Sequence, residues 1–296
     1  MSEAKSLFDP YEVHVGRVVA AHEYPIRQEM VERYIAGTGD DHPWYRSPSP
    51  LGMALAPALL LHSEVYSDLS WYLPNLIGNL HARQEWELFA PLHVGDRVHT
   101  QIVVVDRYSK RNRDYVVAEV LVTDARGRWL QRSRTHQSFL SELPREDVVV
   151  DKQREQRPER RFEVGGAQGE FLVGLEKTIT LEMCEAFSGP VRSYHTDREM
   201  ARAMGFPDVV VQGMMSVCFV SELMTRNFGL GWWYGGKLDV SLVNVVWPND
   251  TLRVCGQVQS SEREGRWQRV RCQVWCEKEN GVKTVIGTAS ALRGEP

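Results

Sequence analysis

The amino-acid sequence predicts an α+β protein in which one architectural unit is written twice. Three observations carry this prediction. Two related polar loops, Gly39-Asp40-Asp41-His42-Pro43-Trp44-Tyr45 and Ser188-Gly189-Pro190-Val191-Arg192-Ser193-Tyr194-His195-Thr196-Asp197, each follow a short helical stretch. Each loop is followed by a longer apolar helical pattern and then by β-rich sequence. Between the copies runs a charged stretch, Ser141 to Gln168, almost without apolar periodicity.

In chain order, the first long helical pattern is Met53 to Tyr66, an apolar run ending in a polar face. Three strands are expected next. Val98 to Val105 is rich in β-branched residues, Tyr115 to Thr123 follows, and Trp129 to Phe139 comes after a turn at Asp124-Ala125-Arg126-Gly127. The intervening segments are too short for crossover helices, so these strands pair antiparallel. The second copy has a helical pattern over Val209 to Phe228, with Val217, Val220, Ser221 and Met224 at helical spacing and Gly229 as a stop signal. Its strand candidates are Thr251 to Gln259, Arg266 to Cys276 and Val282 to Leu292, with turns at Glu262-Arg263-Glu264-Gly265 and Glu279-Asn280-Gly281. Val94-Gly95-Asp96 and Pro248-Asn249-Asp250 open a strand in each copy. The organisation read from this is a unit over residues 1–140, a linker over 141–168 and a second unit over 169–296. Two such sheets side by side can join, closing edges that would otherwise be exposed.

Composition narrows the function. A chain of 296 residues, 43% hydrophobic and 25% charged, supports a packed core across two domains. A net charge of −4 gives no general reason to expect nucleic-acid binding. No apolar run approaches the ~18–20 residues that span a bilayer, and the N-terminus lacks the apolar core of a signal peptide. The reading is a cytosolic protein without membrane partners. Five cysteines, Cys184, Cys218, Cys255, Cys272 and Cys276, are an odd number. They suit core packing better than a disulfide framework or a zinc site.

The two loops hold complementary halves of one chemistry. The first has an acid, Asp40, with Tyr45 five residues on; the second has His195 and no acid at that spacing. An Asp and a His so spaced can hold and activate one water. Asp197 either caps the helix expected from Arg198 or takes part in catalysis. Trp232-Trp233-Tyr234, Trp71-Tyr72 and Trp86 either line a pocket or pack in the core. Lys110-Arg111-Asn112-Arg113 is a hairpin tip that is either solvated or in contact with phosphate.

These residues resemble the MaoC-like double-hotdog dehydratases, including the R-specific enoyl-CoA hydratases. The resemblance rests on Gly39 to Tyr45 with Ala56-Pro57, on Leu80-His81-Ala82-Arg83-Gln84-Glu85-Trp86-Glu87 with Pro91 and Val94-Gly95-Asp96, and, in the second half, on His195-Thr196-Asp197, Gly205-Phe206-Pro207 and Val211-Gln212-Gly213-Met214. It covers nearly the whole chain outside the linker. It implies a hotdog fold, a long helix cradled by an antiparallel sheet. It also implies acyl thioesters of CoA or an acyl carrier protein as substrates, in fatty acid or polyketide metabolism, and reversible syn hydration of a trans-2-enoyl thioester. No metal or redox cofactor is implied; CoA or phosphopantetheine enters only as part of the substrate. His195 matches the catalytic histidine of the family, and Gly213 the glycine whose N–H faces the thioester oxygen.

The family's acid falls on Pro190, which cannot act as a base, leaving Asp197, Tyr194 and Ser188 as the nearest replacements in sequence. In the first copy Asp40 matches the acid and Tyr45 replaces the histidine. Tyr194, Gln212, Arg192, Trp232 and Trp233 are candidate substrate contacts. Two rival readings stand beside the hydratase: a thioesterase or other acyl-transforming enzyme on the same fold, and a catalytically silent acyl-binding or partner subunit. Hotdog sheets commonly associate, so a homodimer is compatible with the reading.

Overall fold

The computed structural model describes residues 13–67, 80–111, 113–140, 159–166 and 169–294. All ten strands lie in one antiparallel sheet: β1 (Val18–Pro25), β2 (Leu80–Leu88), β3 (Arg97–Lys110), β4 (Arg113–Asp124), β5 (Trp129–Leu140), β6 (Leu175–Thr178), β7 (Lys237–Leu242), β8 (Thr251–Glu264), β9 (Trp267–Lys278) and β10 (Lys283–Arg293). The order across the sheet is β1-β3-β4-β5-β2-β7-β10-β9-β8-β6. Read outward from the centre, β2-β5-β4-β3-β1 and β7-β10-β9-β8-β6 repeat one connectivity. The seam is the β2–β7 pair, with Arg83 opposite Ser241 and Glu87 opposite Lys237. The expected joining of two sheets is therefore present, and it removes one strand edge from each unit.

The helices are α1 (Gln28–Thr38), α2 (Leu181–Ser188), α3 (Arg198–Ala203), α4 (Gly213–Phe228) and the single turn α5 (Leu230–Trp233). In α4 every residue from Met214 to Thr225 is buried, the signature of a helix enclosed on all sides. It ends at Gly229, whose positive φ of 52° suits glycine. The helix starts four residues later than the apolar pattern at Val209. Val209 and Val211 are buried in extended chain, and Val211 N–H donates to Val246 C=O at 3.1 Å.

The first unit departs from expectation. Met53 to Tyr66 does not form a regular α-helix. Amides donate three residues back, Leu60 to Pro57, His62 to Leu59 and Tyr66 to Ser63, and only Glu64–Tyr66 is a 3-10 turn. Leu55, Ala56, Ala58, Leu59, Leu60, Leu61 and Val65 are nevertheless buried. Their apolarity reports burial, which periodicity alone cannot distinguish from a helix.

The six expected strands are all present; β3, β4, β5 and β8 run beyond the ranges read from sequence, β9 and β10 each start one residue later and end later, and β8 takes up Glu262, Arg263 and Glu264 of the expected turn. α1 and α2, the short helices before the two loops, pack so closely at Gly37 that an added Cβ would lie 2.9 Å from Phe187 Cα. The end of the expected linker is not purely solvated: Gly165 and Gly166 N–H groups donate to Gln273 and Gln257 on the second unit's sheet. Trp71-Tyr72 and Asn112 lie outside the described residues. Among the described residues, no helix is long and apolar enough to cross a membrane.

Candidate active site

His195 lies on a loop locked by its own turns. Thr196 and Asp197 N–H groups both donate to Ser193 C=O at 2.9 Å, and the Thr196 hydroxyl accepts from Ser193 N–H at 3.0 Å. Two bonds then lace the loop to the segment entering α4: Val210 N–H to Tyr194 C=O at 3.1 Å, and His195 Nδ1 to Val210 C=O at 2.7 Å. A carbonyl can only accept, so Nδ1 carries the proton and Nε2 presents its lone pair. Burial pushes the His195 pKa down to about 4, against a smaller opposing effect of the Val210 bond. The ring is thus a neutral imidazole of defined tautomer at physiological pH. Tyr194 packs on it with ring centroids 4.0 Å apart, and Phe206 backs Tyr194.

Three residues beyond Val210, α4 begins at Gly213. In its first turn Met215 N–H donates to Gln212 C=O at 2.9 Å, while the Gln212 side chain caps nothing and the helix end keeps its positive dipole. The Gln212 amide oxygen instead accepts from the Ser188 hydroxyl at 3.2 Å. A Cβ on Gly213 would lie 2.0 Å from Leu242 Cδ2, so with any other residue here the Leu242 side chain on β7 would have to move. The same construction comes within 3.8 Å of His81 Nδ1, a side chain of the first unit. The loop histidine, the helix N-terminus and His81 thus converge on the segment Val210–Gly213. His81 was visible in the sequence motif, but nothing local marked it as a member of this site.

The remaining candidates have other partners. Asp197 caps α3 by accepting from Met200 N–H at 2.9 Å, and it pairs with Arg192 at 2.6 Å. Those bonds hold its carboxyl below the ordinary carboxylate range. They occupy both the expected catalytic acid and the expected substrate contact at Arg192, which also pairs with Glu199. Trp232 and Trp233 correct the expectation of a pocket lining. They are 0% and 1% exposed, and their ring N–H groups donate to Ser221 and to Ala56 C=O within the core. Pro190 is exposed on the loop.

Asp40 and Tyr45 also depart from the expected water-holding role. Both are 1% exposed, and the Tyr45 hydroxyl donates to Asp40 Oδ2 at 2.7 Å. Around them lies a buried charge cluster that joins the units. Glu222 of α4 pairs with Lys177 at 2.6 Å and Arg226 at 2.8 Å, and Lys177 donates to Gly39 C=O. Burial and the Glu222 carboxylate push the Asp40 pKa up to about 7, against the bond from Tyr45 and the charges of Lys177 and Arg226. Glu222 lies nine residues along α4 from Gly213, about 14 Å at the helical rise. Asp40 and His195 therefore belong to separate places. Glu222 was missed in sequence; a lone carboxylate inside an otherwise apolar helical run was its signal.

Comparisons with known proteins agree with this architecture. Residues 168–286 match the model of the MaoC like domain, and residues 13–132 match that of the FAS1-like dehydratase domain region. The peroxisomal hydratase-dehydrogenase-epimerase of Saccharomyces cerevisiae is 25% identical over 205 residues, 69% of this chain and 21% of that protein. The chain thus spans about a fifth of the length of that curated relative. A solved MaoC-like dehydratase superimposes with a TM-score of 0.73 at 16% identity, over 96% of this chain and 99% of that one. A Mycobacterium tuberculosis protein with a double hotdog fold gives 0.64 at 13% identity, over 98% of each chain. At these identities the structures speak for the fold, which is a double hotdog.

Proposed function

Because residues 168–286 match the MaoC like domain and residues 13–132 the FAS1-like dehydratase domain region, we propose that the chain is a MaoC-type hydratase or dehydratase that reversibly hydrates a trans-2-enoyl thioester, carried on CoA or an acyl carrier protein, at a single site in its second unit. The observation that carries this reading is the His195 ring, neutral and fixed in one tautomer, near the N-terminus of α4, which the Gln212 side chain leaves uncapped. Nε2 takes a proton from water as the oxygen bonds to Cβ. Negative charge moves to the thioester oxygen, where the Gly213 N–H and the positive helix end oppose it. The imidazolium then gives its proton to Cα. Syn addition puts both transfers on one face, so a single base can serve both steps. The scheme needs no metal or redox group.

The missing acid at Pro190 has a cost. Loss of one general acid–base group typically slows a reaction by ~10²–10⁴-fold. A slow enzyme, or one adapted to an activated substrate, is the consequence. Among its described residues, the first unit assembles no equivalent set. Tyr45 stands in place of the histidine, Asp40 is sealed by it, and the turns of this unit start at Pro57, which has no N–H to offer an oxyanion.

The test is incubation of the full chain with trans-2-enoyl-CoA thioesters of short, long and aromatic acyl groups, beside His195→Ala. Mass spectrometry separates water addition from release of free CoA. Water addition that falls by at least ~10²-fold in the variant is expected. Release of CoA instead would make the protein a thioesterase. Pro190 gives one specific reason for a second reading, an acyl-binding or partner subunit; inertness toward every thioester would favour it.

A further inference from the structure

We propose that His81, supplied by the first unit, is a second hydrogen-bond donor to the thioester oxygen in the second unit's site. The proposal rests on the hydratase reading above and assigns a catalytic residue to it.

Side chains alternate along a strand, so in a regular β2 His81 would share a face with Arg83, Glu85 and Glu87. That face is the outer one, where Arg83 pairs with Asp239 and Glu85 with His136. β2 is not regular there. Against β5, His81 is opposite Gln137 and Arg83 is opposite His136, so two steps on β2 match one on β5. Ala82 is the extra residue of a bulge, and one extra residue reverses the alternation. His81 is thereby turned to the inner face, with Gln84 and Trp86, toward α4. A bulge that re-aims one side chain at a helix N-terminus is a specific construction, because the rest of the strand keeps its register across the seam.

The surroundings complete the case. Gly213 is the residue that makes room: its missing side chain leaves the α4 terminus open to Leu242 and to the His81 ring. The Tyr66 hydroxyl holds Nδ1 at 3.1 Å. Nε2 is buried and makes no hydrogen bond of normal geometry. An unsatisfied buried nitrogen is uncommon enough to call for a role. Burial pushes the ring's pKa down to about 4, against smaller opposing hydrogen bonds to the Gln84 side chain and the Arg83 backbone, so it is neutral at physiological pH. In this assignment the Tyr66 O–H donates to Nδ1 and the one ring proton is on Nε2, ready to donate. A neutral imidazole in this role polarises a carbonyl without taking the proton that His195 must handle.

The test uses the full chain with whichever enoyl-CoA the wild type hydrates, and three variants, His81→Leu, His81→Gln and Tyr66→Phe. Removal of one oxyanion donor typically lowers kcat by ~10²–10³-fold. That fall is expected in His81→Leu with KM within a few-fold of wild type. His81→Gln should recover part of it, because its amide N–H can donate, and Tyr66→Phe should lose less than His81→Leu. A second readout needs no turnover: the infrared carbonyl band of bound hexanoyl-CoA labelled with ¹³C at the thioester carbon. The band should lie at lower frequency in the wild type than in free ligand and move back toward the free value in His81→Leu. Unchanged kcat and band in His81→Leu, beside an inactive His195→Ala, would overturn the role of His81 and leave the hydratase reading standing. A shifted band in a wild type that hydrates nothing would keep the His81 contact and sink the hydratase. Wild type that neither binds hexanoyl-CoA nor hydrates any enoyl thioester would overturn both. Should His81→Leu not fold, His81→Gln and Tyr66→Phe carry the same comparison.

Discussion

Restoring the acid is the sharpest perturbation of this site, and the first unit shows what it should do. There, Asp40 and Tyr45 stand five apart on the equivalent loop, with carboxylate and hydroxyl 2.7 Å from each other. Pro190→Asp would put a carboxylate at the same spacing from His195. The ring pKa is down from 6.5 to about 4 because burial opposes its charged form. At ~1.4 kcal/mol per pH unit, that is about 3 kcal/mol against the imidazolium the reaction must form. A carboxylate about 4 Å away interacts with it by about 4 kcal/mol at an effective dielectric near 20, enough to offset the burial. Position 190 is exposed, so the new carboxylate itself loses little hydration. Two effects are expected together. The acidic limb of kcat should move from near pH 4 toward the ordinary histidine range. The plateau should rise by at least ~10²-fold, as a second acid–base group joins the first. The assay is enoyl-CoA hydration followed at closely spaced pH values from acid to alkaline, with circular dichroism to confirm folding. A folded variant with the wild-type limb and plateau would refute the assignment of His195 as the base facing that position.

Two further outcomes follow from the geometry. Gly213→Ala should destabilise the protein by about 1–3 kcal/mol, the usual result of forcing a methyl into packed space, because its Cβ would collide with Leu242. Urea titration should show Leu242→Ala relieving that loss in the double variant, and a fully stable, fully active Gly213→Ala would contradict the packing. Stability should also fall as pH drops from about 6.5 toward 4. His62 is pushed down to about 3, and His81 and His195 to about 4, all chiefly by burial. Below 6.5 the unfolded chain therefore binds protons that the folded one refuses. At pH 5 each costs about 2 kcal/mol. Asp40, raised to about 7, has the opposite sign: the folded state binds its proton first, and stability gains from it as pH falls toward 4. The net loss is then smaller than three histidines alone would give. His62 stacks on Phe187 at 4.1 Å, so His62→Phe should keep the packing and flatten the loss between pH 7 and 5 by about one proton's worth. An unchanged slope in urea midpoints would exclude His62 as a contributor.

Much of this molecule is written locally. Val98 to Val105 and Thr251 to Gln259 declare themselves as strands because β-branched alternation is a property of the residues themselves. α4 announces itself by apolar spacing and Gly229, and the Asp197 cap by a short polar side chain before a helix. β2 and β7 escaped notice. Leu80–Leu88 carries His, Arg, Gln and Glu, and its strand character comes from β5 on one side and β7 on the other. Met53 to Tyr66 misled for the converse reason, since burial was legible and backbone conformation was not.

The sequence by itself determined the duplicated plan, the two loops, the histidine and the absent acid, since each depends on residue type and spacing within a few turns of chain. Tertiary structure decided what those residues face. It paired Glu222 with Lys177, buried Asp40 against Tyr45, closed Trp232 and Trp233 into the core, fixed the tautomer of His195 and turned His81 inward through a bulge at Ala82. Arg83 and Asp239 meet across 156 residues, and the Gly213–His81 approach also joins opposite units. No local pattern encodes such pairs. They arise when two sheets share one seam and the space left at one helix end admits a single arrangement of side chains.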